Sequence, residues 1–225
     1  MMDGVNQSAP GSAVLAAPWP QFRGTLHRWS APVAAGLSVL LAVQARAADV
    51  RAGAIVYGCC IVAMLAVSGM YHVPHRSARL RRVLRRLDHS TILLAIAGSY
   101  TGVIVAGMSG STQLVLLIAT WLLAGVGIAL RTLWFDSPRY VVAIVYLGCG
   151  WMVLLNPAAY LRALGGTELA LMVAGGLLYT IGAVTLGLRW PNPWPATFGY
   201  HEVFHTFVVA AALAHWASLY LLVTR

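Results

Sequence analysis

Few residues in this chain can do chemistry, and their spacing forms a pattern. Long apolar stretches carry ionisable side chains at three places: Ser68-Gly-Met-Tyr-His72, Asp88-His89 and His201-Glu-Val-Phe-His205. His201 and His205 are four residues apart, so on a helix they point about 40° apart in azimuth and sit about 6 Å apart in height. Two imidazoles so placed can grip one metal ion. His72 supplies a third nitrogen, and zinc held by three protein ligands keeps a fourth tetrahedral position for water, as in catalytic rather than structural sites. Ser68 lies one turn before His72 on the same face, where its hydroxyl reaches the site. Asp88 is placed to accept a proton from a metal-activated water and deliver it later. The chemistry this set predicts is attack of water on a carbonyl, with hydrolysis of an amide or ester.

Each piece also has a structural reading. Two histidines at i, i+4 in a membrane helix can serve as an interhelical hydrogen-bonding pair, and His72 and Asp88 taken singly read as helix-end residues at the interface. Their common depth is what favours the metal. The His-Glu-x-x-His pattern raises a further candidate, an intramembrane zinc protease with Glu202 as base. Such proteases carry the motif in an early span and a ligating Asp later, the reverse of the order here. His89 points about 100° from Asp88 and reads as a neighbour of the site rather than a ligand. His215 lies roughly 21 Å up the helix from His201, too far to share the metal, and reads as a helix–helix hydrogen bond. His75, beside Pro74, falls in a loop.

These residues depend on helices that cross a membrane. Of 225 residues, 60% are hydrophobic and 9% charged, against about 25% charged in an ordinary soluble domain. Fifteen of the charges are Arg, none is Lys, and six are acidic, giving a net charge of +9. In a polar protein that excess would suggest nucleic acid. Here the bases lie between uncharged runs, and no nucleic-acid partner is expected. Three cysteines, Cys59, Cys60 and Cys149, fall inside apolar stretches and form no disulfide framework or CxxC motif. A crossing needs about 20 apolar residues. The runs predict an all-α bundle of seven transmembrane helices over residues 29–46, 52–72, 87–107, 112–131, 139–161, 167–188 and 203–224. Residues 1–22, rich in Ala, Ser, Gly and Pro and lacking the basic start of a secretory signal, read as a disordered cytoplasmic tail ahead of a membrane domain over 23–225.

Loop arginines set the orientation. With the N-terminus inside, eleven Arg lie on the inner side and four (Arg46, Arg51, Arg162 and Arg225) outside, so the N-terminus is expected in the cytoplasm and the C-terminus outside. That is opposite to a G-protein-coupled receptor. The same count brings the end of span two, the start of span three and the start of span seven to the inner side. Six Arg lie within Arg76–Arg86. The positive-inside rule accounts for them, and contact with anionic lipid headgroups is a second reading, at about 1 kcal/mol per basic residue. Trp190-Pro-Asn-Pro-Trp-Pro195 reads as a rigid approach at headgroup level.

The chain resembles the hemolysin III group of the progestin and adipoQ receptor family, within the wider superfamily that includes alkaline ceramidases. The carriers are Arg23-Gly-Thr-Leu-His27, Ser68-Gly-Met-Tyr-His72, the stretch from Leu87-Asp-His-Ser-Thr91 to Thr101, and Gly199-Tyr-His201-Glu-Val-Phe-His205, with His215 beyond. The resemblance runs from about Pro20 to the C-terminus. It implies a Zn2+ ion held by His72, His201 and His205, with Asp88 on the metal-bound water and Ser68 beside the metal. It alone points to His27. Two readings of function follow for this multi-pass protein of the cell membrane. One is a zinc-dependent hydrolase of a ceramide-like or other acyl lipid. The other is a non-enzymatic lipid sensor or haemolytic cytolysin with structural zinc. A pore would need polar residues along the spans, and spans four to six nearly lack them.

Overall fold

The structure, a computed structural model, describes residues 20–73, 77–134 and 137–225, without the side chains of Arg139 and Tyr140. Most of the segment expected as a cytoplasmic tail, together with His75 and Arg76, lies outside the described residues. In chain order the helices are α1 (Thr25–Gln44), α2 (Ala48–Tyr71), α3 (Ala78–Gly107), α4 (Gly110–Leu133), α5 (Arg139–Gly150), α6 (Pro157–Ala163), α7 (Gly166–Leu188) and α8 (Tyr200–Thr224), with a 3₁₀ turn over Met152–Leu155. There is no β-strand among the described residues. Six of the helices are long and apolar enough to cross a membrane, and α5 is a shorter apolar helix. The chain is an all-helical membrane bundle. Exposed side chains such as Leu122, Val126, Ile144 and Val173 form its apolar outer surface.

Two crossings differ most from expectation. The fifth span, read as one helix over 139–161, is instead α5, the 3₁₀ turn and α6 in succession. Glycines at 148 and 150 weaken the helix there, and Pro157 cannot continue one from upstream but suits the first turn of α6. A broken helix at membrane depth must have its freed backbone groups satisfied by protein. Tyr100 of α3 does this twice: its Oη donates to the Gly150 carbonyl at 2.6 Å and accepts from the Val153 N–H at 3.0 Å. Asn156 then caps α6, accepting from the Ala159 N–H. The second difference is at α3, which begins nine residues before the expected span. Ser77 caps it, its Oγ accepting from the Leu80 N–H, and Arg and Leu are good helix formers with no breaker among them. The arginine-dense segment is therefore the first turns of α3 rather than a loop.

The helices pack as neighbours in the pairs α1–α2, α2–α3, α3–α4 and α7–α8, with α1 and α3 both against α8. The core runs through α2, α3 and α8, with Tyr57, Ile61, Leu65, Val103, Ile104 and Leu219 almost wholly buried. Several polar side chains bridge the helices: Trp121 Nε1 donates to Thr101, Trp151 Nε1 to Thr180, and Ser218 to the Glu168 carbonyl. His215 faces α7, its Nε2 3.2 Å from the Met172 carbonyl, as an interhelical hydrogen bond. Gly175 makes that approach possible, since a Cβ there would run into the His215 ring. Gly175→Ala is therefore expected to overpack the α7–α8 seam by about 1–3 kcal/mol, read as a lowered Tm of the protein in detergent.

Candidate metal centre

The site is built where α2 ends and α8 begins. His72 caps the C-terminus of α2, its N–H donating to the Ser68 carbonyl at 3.2 Å. His201 and His205 occupy the first turns of α8 on adjacent faces. One nitrogen from each of the three rings falls within 4.8 Å of the others, and the Nε2 atoms of His72 and His201 are 3.0 Å apart. Two nitrogens on one tetrahedral zinc, at about 2.0–2.1 Å each, stand roughly 3.3 Å from one another, so the observed spacing fits such an ion. The donor set fits as well, being three imidazoles with no carboxylate among them. His72 and His205 are 3% and 2% exposed, which takes the site out of bulk water.

Asp88 projects from α3 and is buried. Ser68, one turn along α2 from His72, lies beside its carboxylate. The carboxylate does not belong to the converging group of three. The structure thus brings together His72, His201 and His205 from α2 and α8, and sets Asp88 of α3 beside Ser68, one turn before His72.

The segment before α1 completes the wall. Gln21 and Phe22 donate from their backbone N–H groups to the Ala196 and Thr197 carbonyls, tying this segment to the loop that precedes α8. Asn192 in the same loop accepts from the Tyr200 N–H at the start of α8. Gly24 then turns the chain with φ of 70°, a conformation glycine adopts readily, and lies against His72, where a Cβ would collide with the ring-bearing carbon. His27 stacks on His205 with ring centroids 3.8 Å apart and planes within 9°. His27 is 3% exposed, and neither ring nitrogen has a hydrogen-bond partner. Arg23 reaches Glu202 at 3.6 Å. Each of the three distinctive residues of Arg23-Gly-Thr-Leu-His27 therefore touches the first turns of α8 or the end of α2. Spacing alone could not show this, because the contacts cross the whole length of the chain.

Glu202 is turned to structural work. Its Oε2 accepts from the Gly199 N–H at 2.8 Å, capping α8, and its Oε1 faces Arg23. A general base for a protease would have to point at the metal. His89 also turns away from the three rings: its Nδ1 is 3.1 Å from Arg131 Nη2, and Tyr146 Oη donates to its carbonyl. Arg131, counted in the sequence as a loop charge, is buried inside α4, where it also donates to Ser137 at 2.6 Å. No sequence signal separated it from the other inner arginines.

The capping role of Glu202 is testable. Glu202→Ala is expected to lower stability by about 1 kcal/mol, and Glu202→Gln by less, because its amide oxygen can still accept from Gly199. Thermal unfolding and metal analysis of the purified variants check this, with bound metal expected to be unchanged in both.

Comparison with known proteins agrees with this architecture. The model of the haemolysin-III-related family matches residues 17–216. The chain is 26% identical over 160 residues to a hemolysin-3 homolog of Bacillus subtilis, covering 71% of each protein. It is 29% identical over 159 residues to hemolysin-3 of Bacillus cereus, covering 70% of this chain and 68% of the relative. An adiponectin receptor protein of Drosophila melanogaster is 27% identical over 186 residues, which cover 73% of this chain and 42% of the receptor. No solved structure matches. The chain is a multi-pass membrane protein belonging to the haemolysin-III-related family.

Proposed function

We propose that the chain is a zinc-dependent hydrolase that cleaves the amide, or ester, bond of a ceramide-like membrane lipid. The observation that carries this reading is the three-histidine cluster, buried at one end of a membrane bundle, with the Ser68–Asp88 pair one helical turn away. His72, His201 and His205 would hold the ion. When bound, zinc supplies a Lewis acid that polarises a carbonyl and activates water for attack at neutral pH. Asp88, oriented by the Ser68 hydroxyl, takes a proton from the attacking water and passes it to the leaving nitrogen or oxygen. His27, flat against His205, fixes the plane of that ring. The resemblance to a superfamily that includes alkaline ceramidases supports an acyl lipid as substrate. The competing reading is a lipid sensor or cytolysin with structural zinc, and it shares the metal but not the turnover.

Metal analysis and product detection separate the readings. Purified protein is expected to hold zinc near one per chain, lost in His72→Ala and His205→Ala. Folded wild-type protein without zinc would remove the basis of the proposal. Asp88→Ala is expected to keep its zinc while fatty-acid release from ceramide falls by about 100-fold or more. Zinc retained with no release from any amide or ester lipid leaves the sensor.

The arginine-rich start of α3 supports anionic headgroup contact beside the site. Arg79, Arg81, Arg82, Arg85 and Arg86 are exposed there with Leu80, Val83 and Leu87. A surface that mixes apolar side chains and cations suits a membrane interface. Retention of phosphatidylglycerol in native mass spectra is expected to drop in the Arg79→Gln/Arg82→Gln double variant, by about 1 kcal/mol for each charge removed.

A further inference from the structure

His27 lies against the three-histidine centre without belonging to it. It sits in the first turn of α1, and two close approaches hold it there. Gly24, just before α1, packs on His72. Gly69, near the end of α2, packs on the Arg28 backbone, and a Cβ at either glycine would stand 3.0 Å or less from its neighbour. The start of α1 is thus wedged against the last turn of α2, with His27 facing inward at 3% exposure.

Stacking alone does not account for a histidine at this position. The ring is parallel to His205 within 9°, at a centroid distance of 3.8 Å. A phenyl ring would stack as well and leave nothing unsatisfied. His27 instead buries two nitrogens that have no hydrogen-bond partner in the protein. A neutral imidazole carries one donor and one acceptor, and burying a donor unused costs free energy that a hydrogen bond would recover.

The stack limits what those nitrogens can reach. A metal ion on His205 would lie in the plane of its ring, about 2.0–2.1 Å from the nitrogen. His27 occupies a second plane, one van der Waals thickness away, so its nitrogens stand outside ligand distance of such an ion. In keeping with this, His27 is absent from the group of ligand atoms within 4.8 Å of one another, which is His72, His201 and His205. A hydrogen bond spans about 2.7–3.2 Å, the reach that His27 needs to meet an atom held by the ion on that face of His205.

Resting on the hydrolase reading above, we propose that His27 is the donor that binds the carbonyl oxygen of the lipid substrate at the fourth position of the ion. When water attacks the carbonyl carbon, the electron pair of the C=O bond moves onto that oxygen. The His27 N–H donates a hydrogen bond to the growing charge, in a place shielded from bulk water where such a donor counts most. His27 transfers no proton. The proton of the attacking water goes to Asp88 and then to the leaving nitrogen or oxygen.

The test uses the cobalt(II)-loaded full-length protein in detergent, with azide as a probe anion for the fourth position and the visible spectrum of cobalt as the readout. His27→Phe keeps a flat ring against His205 and removes both nitrogens. It is expected to bind cobalt as the wild type does and to weaken azide binding about tenfold or more, the loss of one hydrogen bond to a charged group. His27→Gln, which restores an N–H donor, is expected to recover part of that affinity. If His27→Phe does not fold, His27→Leu against His27→Gln carries the same comparison. Equal azide affinity in the wild type and in the folded nitrogen-free variant would overturn the proposal, because the ring then serves only to stack. Loss of cobalt from that variant would overturn it too, by making His27 a ligand. Azide binding needs no turnover, which keeps the two readings apart. Azide binding that depends on His27, without hydrolysis of any amide or ester lipid, keeps His27 as the donor at the fourth position and counts against the hydrolase. Hydrolysis with azide binding indifferent to His27 does the reverse.

Discussion

A bilayer core contains no water to satisfy a hydrogen-bonding group, so each polar atom placed there must find its partner inside the protein. The architecture follows from this constraint. It makes the crossings of the described chain helical, and it dictates where the helices are allowed to break. The fifth crossing is interrupted only where a tyrosine from α3 takes over the duties of the lost backbone bonds. Indole N–H groups find threonine hydroxyls, and His215 finds a carbonyl of α7. At the end opposite the metal centre, Glu168 of α7 and Arg225 pair at 2.7 Å.

Within this bundle the three-histidine centre stands out. Three imidazoles converge in a buried place, and a fourth lies flat against one of them with its nitrogens unpartnered. Such a concentration of nitrogen is costly in a low-dielectric site unless something compensates it, and three of the rings are placed so that they could hold a metal ion. The surrounding residues then read as scaffolding. Glu202 caps α8 and engages Arg23, while Gly24 lets the chain close over His72.

What was legible in the sequence was what depends on periodicity and scarcity. Apolar runs located the helices, and with so few charges each ionisable residue inside them was conspicuous, which is how His72, Asp88, His201 and His205 came to attention. The meeting of His72 and His201 depends only on the number of crossings between them, and the broken fifth crossing still counts as one. What was not legible depends on contacts made across the chain. Tyr100 gives no sign of its double hydrogen bond. Arg131 looks like any loop arginine until its helix is seen to continue past it. The helical start of α3 was hidden because a run of arginine resembles a loop when only hydropathy is followed. Glu202 sits in a motif with a catalytic reading, and only the direction of its carboxylate shows that it caps a helix.

The clasp between residues 21–22 and 196–197 joins the segment before α1 to the loop before α8. It means that the wall around the histidines is assembled from helices far apart in the order of synthesis. During synthesis, a ribosome that has delivered α1 and α2 into the membrane has delivered His27 and His72 with no counterparts, and these remain solitary until α8 arrives. The centre is therefore a record of completed insertion. A nascent chain stalled before α8 can carry nearly all of the bundle and still have only one of the three rings of the cluster.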